Sequence, residues 1–348
     1  MFSFIRPYIF TLDPEAAHDL AIKSLKLNFL PKSFFEVKNE ELLATELFKK
    51  KLKNPIGLAA GFDKSAEVYN SLFKLGFGFV EVGTITPKRQ FGNPKPRVFR
   101  LEEDKAMINR LGFNNDGAET VSERLKKNIP DEFLGVNIGP NKETKEKVLD
   151  FVECFDKLNK FANYITVNIS SPNTTGLRDF HEKKLLSKLL GKLLEFKKKQ
   201  KIKCPIVLKL SPDIGKNEIT SINEIVLKFK IDGLILANTT NQNRDSLIDS
   251  NKSEIGGLSG LPLQKLSLNF IKNFYKLNKG KIPIIGVGGI DSGKSAFEKI
   301  IAGATAVQLY TGMVYKGPGV VKNIKQELIE ILKKEKIKNI QQAVGINS

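Results

Sequence analysis

Eight short apolar segments, each followed by a lysine-rich helical stretch, occupy the sequence from about residue 54 onward. Near-continuous β-branched runs that alternate with amphipathic helices are typical of strands buried on both faces of a parallel sheet. Eight such units and a last helix over 322–334 predict an α/β fold, a (β/α)8 TIM barrel, rather than a doubly wound open sheet. The predicted strands cover residues 55–59, 79–83, 134–138, 165–168, 206–210, 233–237, 283–287 and 306–310.

The first 40 residues differ in composition from the rest of the chain. They are rich in phenylalanine, and Asp13 followed by Pro14 is a typical helix start. Five basic and five acidic side chains cancel here, so the formal charge of +18 arises wholly beyond residue 40. We therefore expect a small helical domain over residues 1–40 and a barrel domain over residues 41–348. No apolar window of about 18 residues could span a membrane, and no cleaved signal is expected.

Composition limits the classes of function. Of the 56 basic residues, 48 are lysines and 8 are arginines. Specific nucleic-acid recognition relies mainly on arginine forks, so we interpret the lysines as a solvated surface and expect no nucleic-acid partner. Histidine occurs only as His18 and His181, which disfavours a zinc site, and no metal is expected. Cys154 and Cys204 are expected to be packing residues in a reducing compartment.

Polar side chains follow the predicted strands at the ends that meet on one face of a barrel. Asn137, Asn168 and Asn238 follow three of the strands, and Lys64 and Lys209 end two others. Amides and cations together predict a site for a planar, hydrogen-bonding, anionic ligand. Two long insertions lie at the same face. The first predicts a hairpin over residues 88–102 with a loop (109–115) beneath it, and the second covers residues 239–261.

Glycines end the seventh and eighth predicted strands, in GVGGI (286–290) and QLYTG (308–312). They predict either tight turns or backbone N–H groups at helix N-termini that bind a phosphate, and their occurrence at both strands favours the phosphate site. Residues 288–295 also match the GxxxxGK[ST] pattern of a nucleotide-binding P-loop. No neighbouring strand ends in the aspartate that would hold magnesium, so we do not predict a P-loop.

Seven motifs, in order along nearly the whole chain, resemble those of the dihydroorotate dehydrogenase family. VNISSPNT and INRLGFNN are the most specific of them, and DPEAAH (13–18) in the helical N-terminal segment resembles the quinone-dependent, membrane-associated class 2. Cytosolic members lack this extension and usually carry a cysteine as base where this chain has Ser171. The motifs are AAGFDK (59–64), VGTITP (82–87), NPKPRVFRL (93–101), INRLGFNN (108–115), VNISSPNT (167–174), GGLSG (256–260) and IGVGGI (285–290).

The resemblance implies an oxidoreductase acting on CH–CH donors that oxidises (S)-dihydroorotate to orotate in de novo pyrimidine (UMP) biosynthesis. It implies FMN as hydride acceptor and a membrane quinone as final electron acceptor. Ser171 is the implied catalytic base. The implied substrate-binding residues are Lys64, Asn109, Arg110, Leu111, Gly112, Phe113, Asn168, Asn173, Asn238 and Thr239.

The resemblance also implies cofactor and quinone sites. By this resemblance, the N-terminal helices of the chain would contact the membrane peripherally, on the cytoplasmic face of the inner membrane in a bacterium. The protein would be a monomer. Ala237 departs from the family pattern of Thr or Ser, so a side-chain contact there would be lost. His18, Arg100 and Tyr310 match quinone-site positions. The implied FMN-binding residues are Ala60, Gly61, Thr84, Asn137, Asn168, Lys209, Gly260, Gly289, Tyr310 and Thr311.

Two alternatives remain open from the sequence. One is another FMN barrel, either a cytosolic dihydroorotate dehydrogenase or a tRNA dihydrouridine synthase, although the latter would carry a catalytic cysteine and a C-terminal helical domain. The other is a non-enzymatic basic protein that binds membranes or nucleic acids. That second alternative leaves the amides and lysines at the strand ends unexplained and predicts a colourless protein.

Overall fold

The structure, a computed structural model, describes residues 2–29, 31–130, 132–242 and 244–348. Its helices are α1 (Phe2–Phe10), α2 (Pro14–Lys26), α3 (Tyr69–Lys74), α4 (Ala118–Lys127), α5 (Lys147–Leu158), α6 (Lys183–Lys199), α7 (Lys216–Lys228), α8 (Gln264–Asn278), α9 (Gly293–Ile301), α10 (Thr311–Lys316) and α11 (Val320–Lys334). Its strands are β1 (Thr45–Leu47), β2 (Lys50–Leu52), β3 (Ile56–Leu58), β4 (Phe79–Ile85), β5 (Val98–Leu101), β6 (Ala106–Asn109), β7 (Leu134–Ile138), β8 (Tyr164–Asn168), β9 (Ile206–Leu210), β10 (Gly233–Leu236), β11 (Gly257–Gly260), β12 (Ile284–Val287) and β13 (Ala306–Leu309).

Eight of these strands close into a parallel barrel in the order β3, β4, β7, β8, β9, β10, β12 and β13. The barrel closes where Val307 of β13 lies opposite Ile56 of β3. Nearly every residue of these strands is buried, which explains why their sequences are mostly apolar rather than alternating. The predicted TIM barrel is confirmed, and each predicted strand overlaps an observed one. The largest difference is at β4, which continues to Ile85, while Tyr310 lies just beyond β13.

The predicted hairpin over residues 88–102 is wrong in its position. The observed hairpin is β5 and β6, with its turn at residues 102–105, and β11 pairs with β6 on the other side to give a three-stranded sheet. Glycine and prolines at residues 92–96 are strong local turn signals, yet the turn of the observed hairpin follows Leu101. The register is instead fixed by apolar contacts distant in sequence, such as Ile108 with Leu258.

The opposite end of the barrel is covered by the antiparallel β1–β2 hairpin, which the sequence analysis did not predict. Leu47 and Leu52 are buried there in a cluster with Phe79 and Tyr164 from the barrel strands. The ring of Phe48 packs 5.3 Å from that of Tyr164, centroid to centroid. Strands of three residues carry no readable periodicity, so tertiary burial decides this element.

The N-terminal helices are attached to the barrel mouth by polar contacts. Asp13 caps α2 by accepting the N–H groups of Glu15 and Ala16 at 2.9 and 3.0 Å, and Pro14 is the first helical residue, which confirms the predicted helix start. Glu15 then accepts two hydrogen bonds from Arg97, at 2.6 Å from Nη2 and 3.1 Å from Nε. α2 is therefore held to the strand-connecting loops of the mouth.

Large apolar side chains remain exposed on this segment. Phe4 and Tyr8 of α1 are 79% and 76% exposed, and Phe29 is 83% exposed. Among the described residues, no helix is long and apolar enough to cross a membrane. Met1 and Leu30, which fall within the predicted N-terminal domain, lie outside the described residues.

Candidate active site

A cavity of about 330 Å³ opens at the C-terminal end of the barrel strands. Loops that follow the strands supply most of its lining. The three-stranded sheet adds Lys105 and Ser259, and α1 adds Arg6 and Phe10. Polar groups from separate loops converge at this end of a parallel barrel.

Most of the residues that the sequence predicted for a site line this one cavity. They come from seven of the eight barrel units and from the insertions between them, so the predicted convergence is observed. Their individual roles stay predictions. The lining includes Ala60, Gly61, Lys64, Thr84, Asn109, Leu111, Gly112, Phe113, Asn168, Ser171, Asn173, Lys209, Asn238, Thr239, Gly260, Gly289, Tyr310 and Thr311.

Four predicted site residues are not in the lining: His18, Arg100, Arg110 and Asn137. Arg110 binds Glu254 at 2.7 Å and stacks on the ring of Phe99, 4.5 Å from its centroid, so its side chain serves the loop before β11. Arg100 stacks on Phe10 at 4.6 Å and donates to the carbonyls at the end of α1. Arg100 therefore supports a lining residue of the cavity.

The floor of the cavity rests on a buried carboxylate, that of Glu81 in β4. Its oxygens accept hydrogen bonds from Asn137 Nδ2 at 2.8 Å, Tyr164 Oη at 2.9 Å, and the side chains of Thr166 and Gln308, each at 3.1 Å. Four donors on one fully buried carboxylate hold it in place without water. Asn137 acts in this network, one layer beneath the cavity.

Lys209 provides the buried cation of the same layer. Its Nζ lies 3.9 Å from Glu81 Oε1, and its side chain reaches the cavity lining. Burial lowers the pKa of Lys209, and the carboxylate of Glu81 opposes that shift. The pair places a fixed positive group under the cavity.

A chain of hydrogen bonds runs upward from Asn137 to the lining. Thr84 Oγ1 donates to Asn137 Oδ1 at 2.7 Å, and Asn168 Nδ2 donates to Thr84 Oγ1 at 3.1 Å. Asn168 Oδ1 in turn accepts the Ser170 hydroxyl at 2.7 Å, and Ser170 Oγ accepts Asn238 Nδ2 at 2.7 Å. The amide orientations at the ends of β7, β8 and β10 are thus mutually fixed, which prepares a rigid set of donors and acceptors.

Ser171 lies beside this chain and is only 6% exposed. Its Oγ accepts the N–H of Asn173 at 3.2 Å, and Asn173 Nδ2 donates to the carbonyl of Asn109 at 3.0 Å. Within the described part of the chain, no carboxylate or imidazole bonds to Ser171 Oγ. A base at this position would depend on exclusion of water and on donors to its oxygen.

Lys64 lies where the cavity meets α2. Its ammonium, which can only donate, gives a hydrogen bond to His18 Nε2 at 3.0 Å, so the proton of neutral His18 is on Nδ1. Burial lowers the pKa of Lys64 to about 8, and burial together with the Lys64 cation lowers the pKa of His18 to about 3. The rings of His18 and Phe62 pack edge to face with their centroids 5.2 Å apart, and the rings of Phe62 and Tyr310 do so at 5.9 Å. His18 therefore reaches the cavity only through these neighbours.

Glycines leave backbone exposed at two sides of the cavity. Gly61 has a φ of 107°, and a Cβ there would enter open space with no protein atom within 4 Å. Gly289 has a φ of 69° and packs so closely on Gln264 that a Cβ would lie 2.6 Å from its Cα. Lys294 of the P-loop-like pattern is exposed and does not line the cavity. The glycines therefore fit a phosphate site that does not use that lysine.

Sequence reasoning did not identify several lining residues, including Lys105, Ser259, Arg6, Phe10 and Tyr315. Ser259 and Thr311 share a hydrogen bond of 2.8 Å, and Tyr315 donates to the carbonyls of Leu101 and Ala106 at 3.0 and 2.8 Å. The sequence contained little that could have identified these lining residues. Ser259 lies inside the glycine-rich run, but the other residues lie on elements whose packing no local pattern reveals.

Comparison with known sequences gives one consistent result. The sequence model described as dihydroorotate dehydrogenase matches residues 42–332. The "Dihydroorotate dehydrogenase (quinone)" of Christiangramia forsetii is 47% identical over 94% of this chain and 98% of that protein. The mitochondrial "Dihydroorotate dehydrogenase (quinone)" of Mus musculus is 44% identical over 97% of this chain and 87% of that protein.

Comparison with solved structures agrees with the sequence matches. The crystal structure of DHODH from Eimeria tenella in complex with ferulenol superposes with a TM-score of 0.92 at 39% identity, covering 96% of each chain. The ligand-free form of that protein gives a TM-score of 0.91 at 40% identity, over 96% of this chain and 99% of that chain. The similarity covers nearly the whole chain.

Proposed function

The chain belongs to the dihydroorotate dehydrogenase family, in its quinone-dependent branch, and we propose that the cavity at the barrel mouth is its active site. It is an oxidoreductase of pyrimidine biosynthesis that oxidises dihydroorotate with a quinone as electron acceptor. The observation that carries the assignment of the site is the rigid chain of amides from Asn137 to Asn238 beside Ser171. Such donors and acceptors suit a ring with alternating C=O and N–H groups.

The lining fits FMN as the flavin. A volume of about 330 Å³ is within the range of cofactor sites. The bare backbone at Gly61 allows a flat ring to lie against it, and Gly289 with Thr311 presents backbone for a phosphate. Ala60, Thr84, Asn168, Lys209, Gly260 and Tyr310 would complete the site, with Asn137 supporting Thr84. When bound, FMN supplies a two-electron acceptor for the hydride of the substrate.

Lys209 would stabilise negative charge that develops on the bound cofactor. Its ammonium is buried with one carboxylate neighbour, Glu81, so its position is fixed before the reaction begins. A fixed cation in a dry site stabilises charge more strongly than a mobile one in water. Glu81 keeps Lys209 from being an isolated buried charge.

Lys64 and the amides would hold the substrate. The Lys64 cation is available at neutral pH to pair with the substrate carboxylate. Asn109, Asn173 and Asn238, with Thr239, would bind the ring, and the loop of Leu111, Gly112 and Phe113 would cover it. Arg110 is better assigned to positioning that loop, because its guanidinium is bound to Glu254.

Ser171 is the proposed base. Its hydroxyl would take the proton from one ring carbon of the substrate and pass its own proton on toward solvent, while the hydride of the neighbouring carbon would go to the flavin. A serine hydroxyl is a weak base at neutral pH, so the site must support charge on Oγ. The N–H of Asn173 does this, and the burial of Ser171 excludes competing water.

The N-terminal helices would admit the quinone. Exposed Phe4 and Tyr8 lie on the same helix as Arg6 and Phe10, which line the cavity, so α1 joins an apolar surface to the active site. A membrane quinone would enter along this helix, with His18, Arg100 and Tyr310 near its path. We propose peripheral contact of residues 1–40 with the membrane surface, on the cytoplasmic face in a bacterium, by a monomer.

Anaerobic titration of the purified protein tests this function. Dihydroorotate should bleach the visible absorbance of the flavin, and a soluble quinone analogue should restore it. Extraction of the cofactor should yield FMN. A colourless protein would favour the non-enzymatic alternative, and a flavin that dihydroorotate does not bleach would favour a different substrate.

A further inference from the structure

One arginine outside the cavity connects three of the loops that form it. Arg178 begins a short 3-10 helix (Arg178–His181) seven residues after Ser171. Its Nε donates to the carbonyl of Ser170 at 3.1 Å, and its Nη2 donates to the carbonyl of Thr239 at 3.2 Å. Those carbonyls belong to residues next to Ser171 and Asn238. The guanidinium thus spans the loops that follow β8 and β10.

The third contact of the guanidinium is a carboxylate on the loop after β9. Arg178 Nη1 donates to Asp213 Oδ2 at 2.9 Å. The same carboxylate accepts the N–H of Asn241 at 2.9 Å and the hydroxyl of Thr240. Asp213 is 9% exposed at its side chain, so little water competes for these bonds. Asp213 therefore binds the loop after β10 directly as well as through Arg178.

His181 holds the backbone of the arginine. Its Nε2 accepts the N–H of Ser211 at 3.3 Å, so the ring proton is on Nδ1 and is donated to the carbonyl of Arg178 at 2.7 Å. Burial lowers the pKa of His181, which keeps this tautomer neutral. Ser211 directly follows β9, so the ring connects the serine loop to the barrel wall.

We propose that Arg178, Asp213 and His181 form a clamp that positions Ser171 relative to Asn238 and Thr239 for proton abstraction. None of the three lines the cavity, so they are positioning residues. The planar fork of arginine gives three donors in fixed directions, which lysine cannot reproduce. This inference rests on the proposed function of Ser171, and it assigns to the clamp the geometry of the first half-reaction only.

The test uses the holoenzyme in stopped flow and compares two half-reactions. In Arg178→Ala, Arg178→Lys and Asp213→Asn, we expect flavin reduction by dihydroorotate to slow about 100-fold, the usual effect of a displacement of about 1 Å. Re-oxidation by a quinone analogue should keep its wild-type rate. Because Arg178 is partly exposed, added guanidinium ion should restore reduction in Arg178→Ala but not in Asp213→Asn.

Asp232→Asn is the matched control. Asp232 lies before β10 at the other end of the barrel, where its carboxylate accepts the N–H of Ile206 at 2.8 Å and binds Lys197 at 3.2 Å. It should change neither half-reaction. Wild-type rates of reduction in Arg178→Ala would overturn the clamp, as would an equal loss in both half-reactions, since the clamp is assigned to the first half-reaction only. Failure of dihydroorotate to bleach the wild-type flavin would instead refute the proposed function.

Discussion

The barrel interior and the N-terminal helices differ in which side chains they bury. The barrel buries a charged group, whereas α1 exposes large aromatic rings. Inside the barrel, the carboxylate of Glu81 is fully buried and accepts four hydrogen bonds from side chains. On α1, the rings of Phe4 and Tyr8 are about three-quarters exposed or more. Buried polar groups require complete pairing, whereas exposed aromatic groups on a helix indicate a surface for an apolar phase. We therefore expect the chemistry to depend on the barrel interior and quinone access to depend on the N-terminal helices.

Replacing Ser171 by alanine should separate the two regions most strongly. We expect flavin reduction by dihydroorotate to fall about 10²- to 10⁴-fold, the contribution of a general base. FMN content and re-oxidation by a quinone analogue should stay at the wild-type level, because Ser171 donates to none of the network that links Glu81 to Asn238. Stopped-flow absorbance measures both rates. Reduction near the wild-type rate would remove Ser171 from the mechanism.

Removing the buried carboxylate should affect folding rather than access. In Glu81→Gln, the side chain presents an amide to existing donors and leaves Lys209 as an unpaired buried charge. We expect the free energy of unfolding to fall by about 3–5 kcal/mol, as for other broken buried pairs. Urea unfolding measures it.

The control for that variant is Glu119→Gln, because Glu119 is an exposed partner of Lys157. An exposed ion pair of this kind contributes less than about 1 kcal/mol. Equal stability of Glu81→Gln and the wild type would show that the interior tolerates loss of the charge, and the contrast between the two regions would weaken.

The exposed rings of α1 should matter only for access. In Phe4→Ser with Tyr8→Ser, we expect binding to phospholipid vesicles to weaken about 10- to 150-fold per ring, since a buried aromatic side chain contributes about 1.5–3 kcal/mol. Turnover with a quinone held in the vesicles should fall with binding. Flavin reduction by dihydroorotate should not change. Co-sedimentation with vesicles and stopped flow provide the two measurements.

Leu149→Ser is the matched surface control, because Leu149 is an apolar residue of α5 that is 61% exposed. It should leave vesicle binding unchanged. If it weakened binding as much as the α1 variant does, the membrane surface would not be specific to the N-terminal helices.

The barrel could be predicted from the sequence because its signals are local. A strand such as β10 (Gly233–Leu236) is apolar throughout, and polar residues at the strand ends mark the functional end, which is why Asn168 and Lys209 could be predicted as site residues. The hairpin of β5 and β6 was predicted in the wrong place because its register depends on β11. Leu258 of β11 pairs with Ile108 of β6, about 150 residues earlier in the chain.

The supports of the site could not be predicted for a related reason. Arg178 contacts Asp213 and Thr239, which lie 35 and 61 residues later in the chain. No spacing pattern in the sequence predicts contacts of this kind. Asn137 was expected in the lining because it stands near the end of a strand, yet its amide donates to the carboxylate of Glu81. A strand-end position predicts the face on which a residue lies, but the neighbouring loops decide whether it reaches a ligand.

The smallest expected effect concerns Lys64, where the two regions meet. Since its pKa is lowered to about 8, the cation is present below that pH and is lost as the pH rises through it. KM for dihydroorotate should therefore increase above pH 8, by at most about tenfold per pH unit. In Lys64→Arg the guanidinium stays charged, so KM should be flat over the same range even if kcat is reduced. Steady-state kinetics between neutral and alkaline pH measure both. The same increase in both enzymes would assign the titration to another group, and the hydrogen bond between Lys64 and His18 would then join α2 to the barrel without contributing to substrate binding.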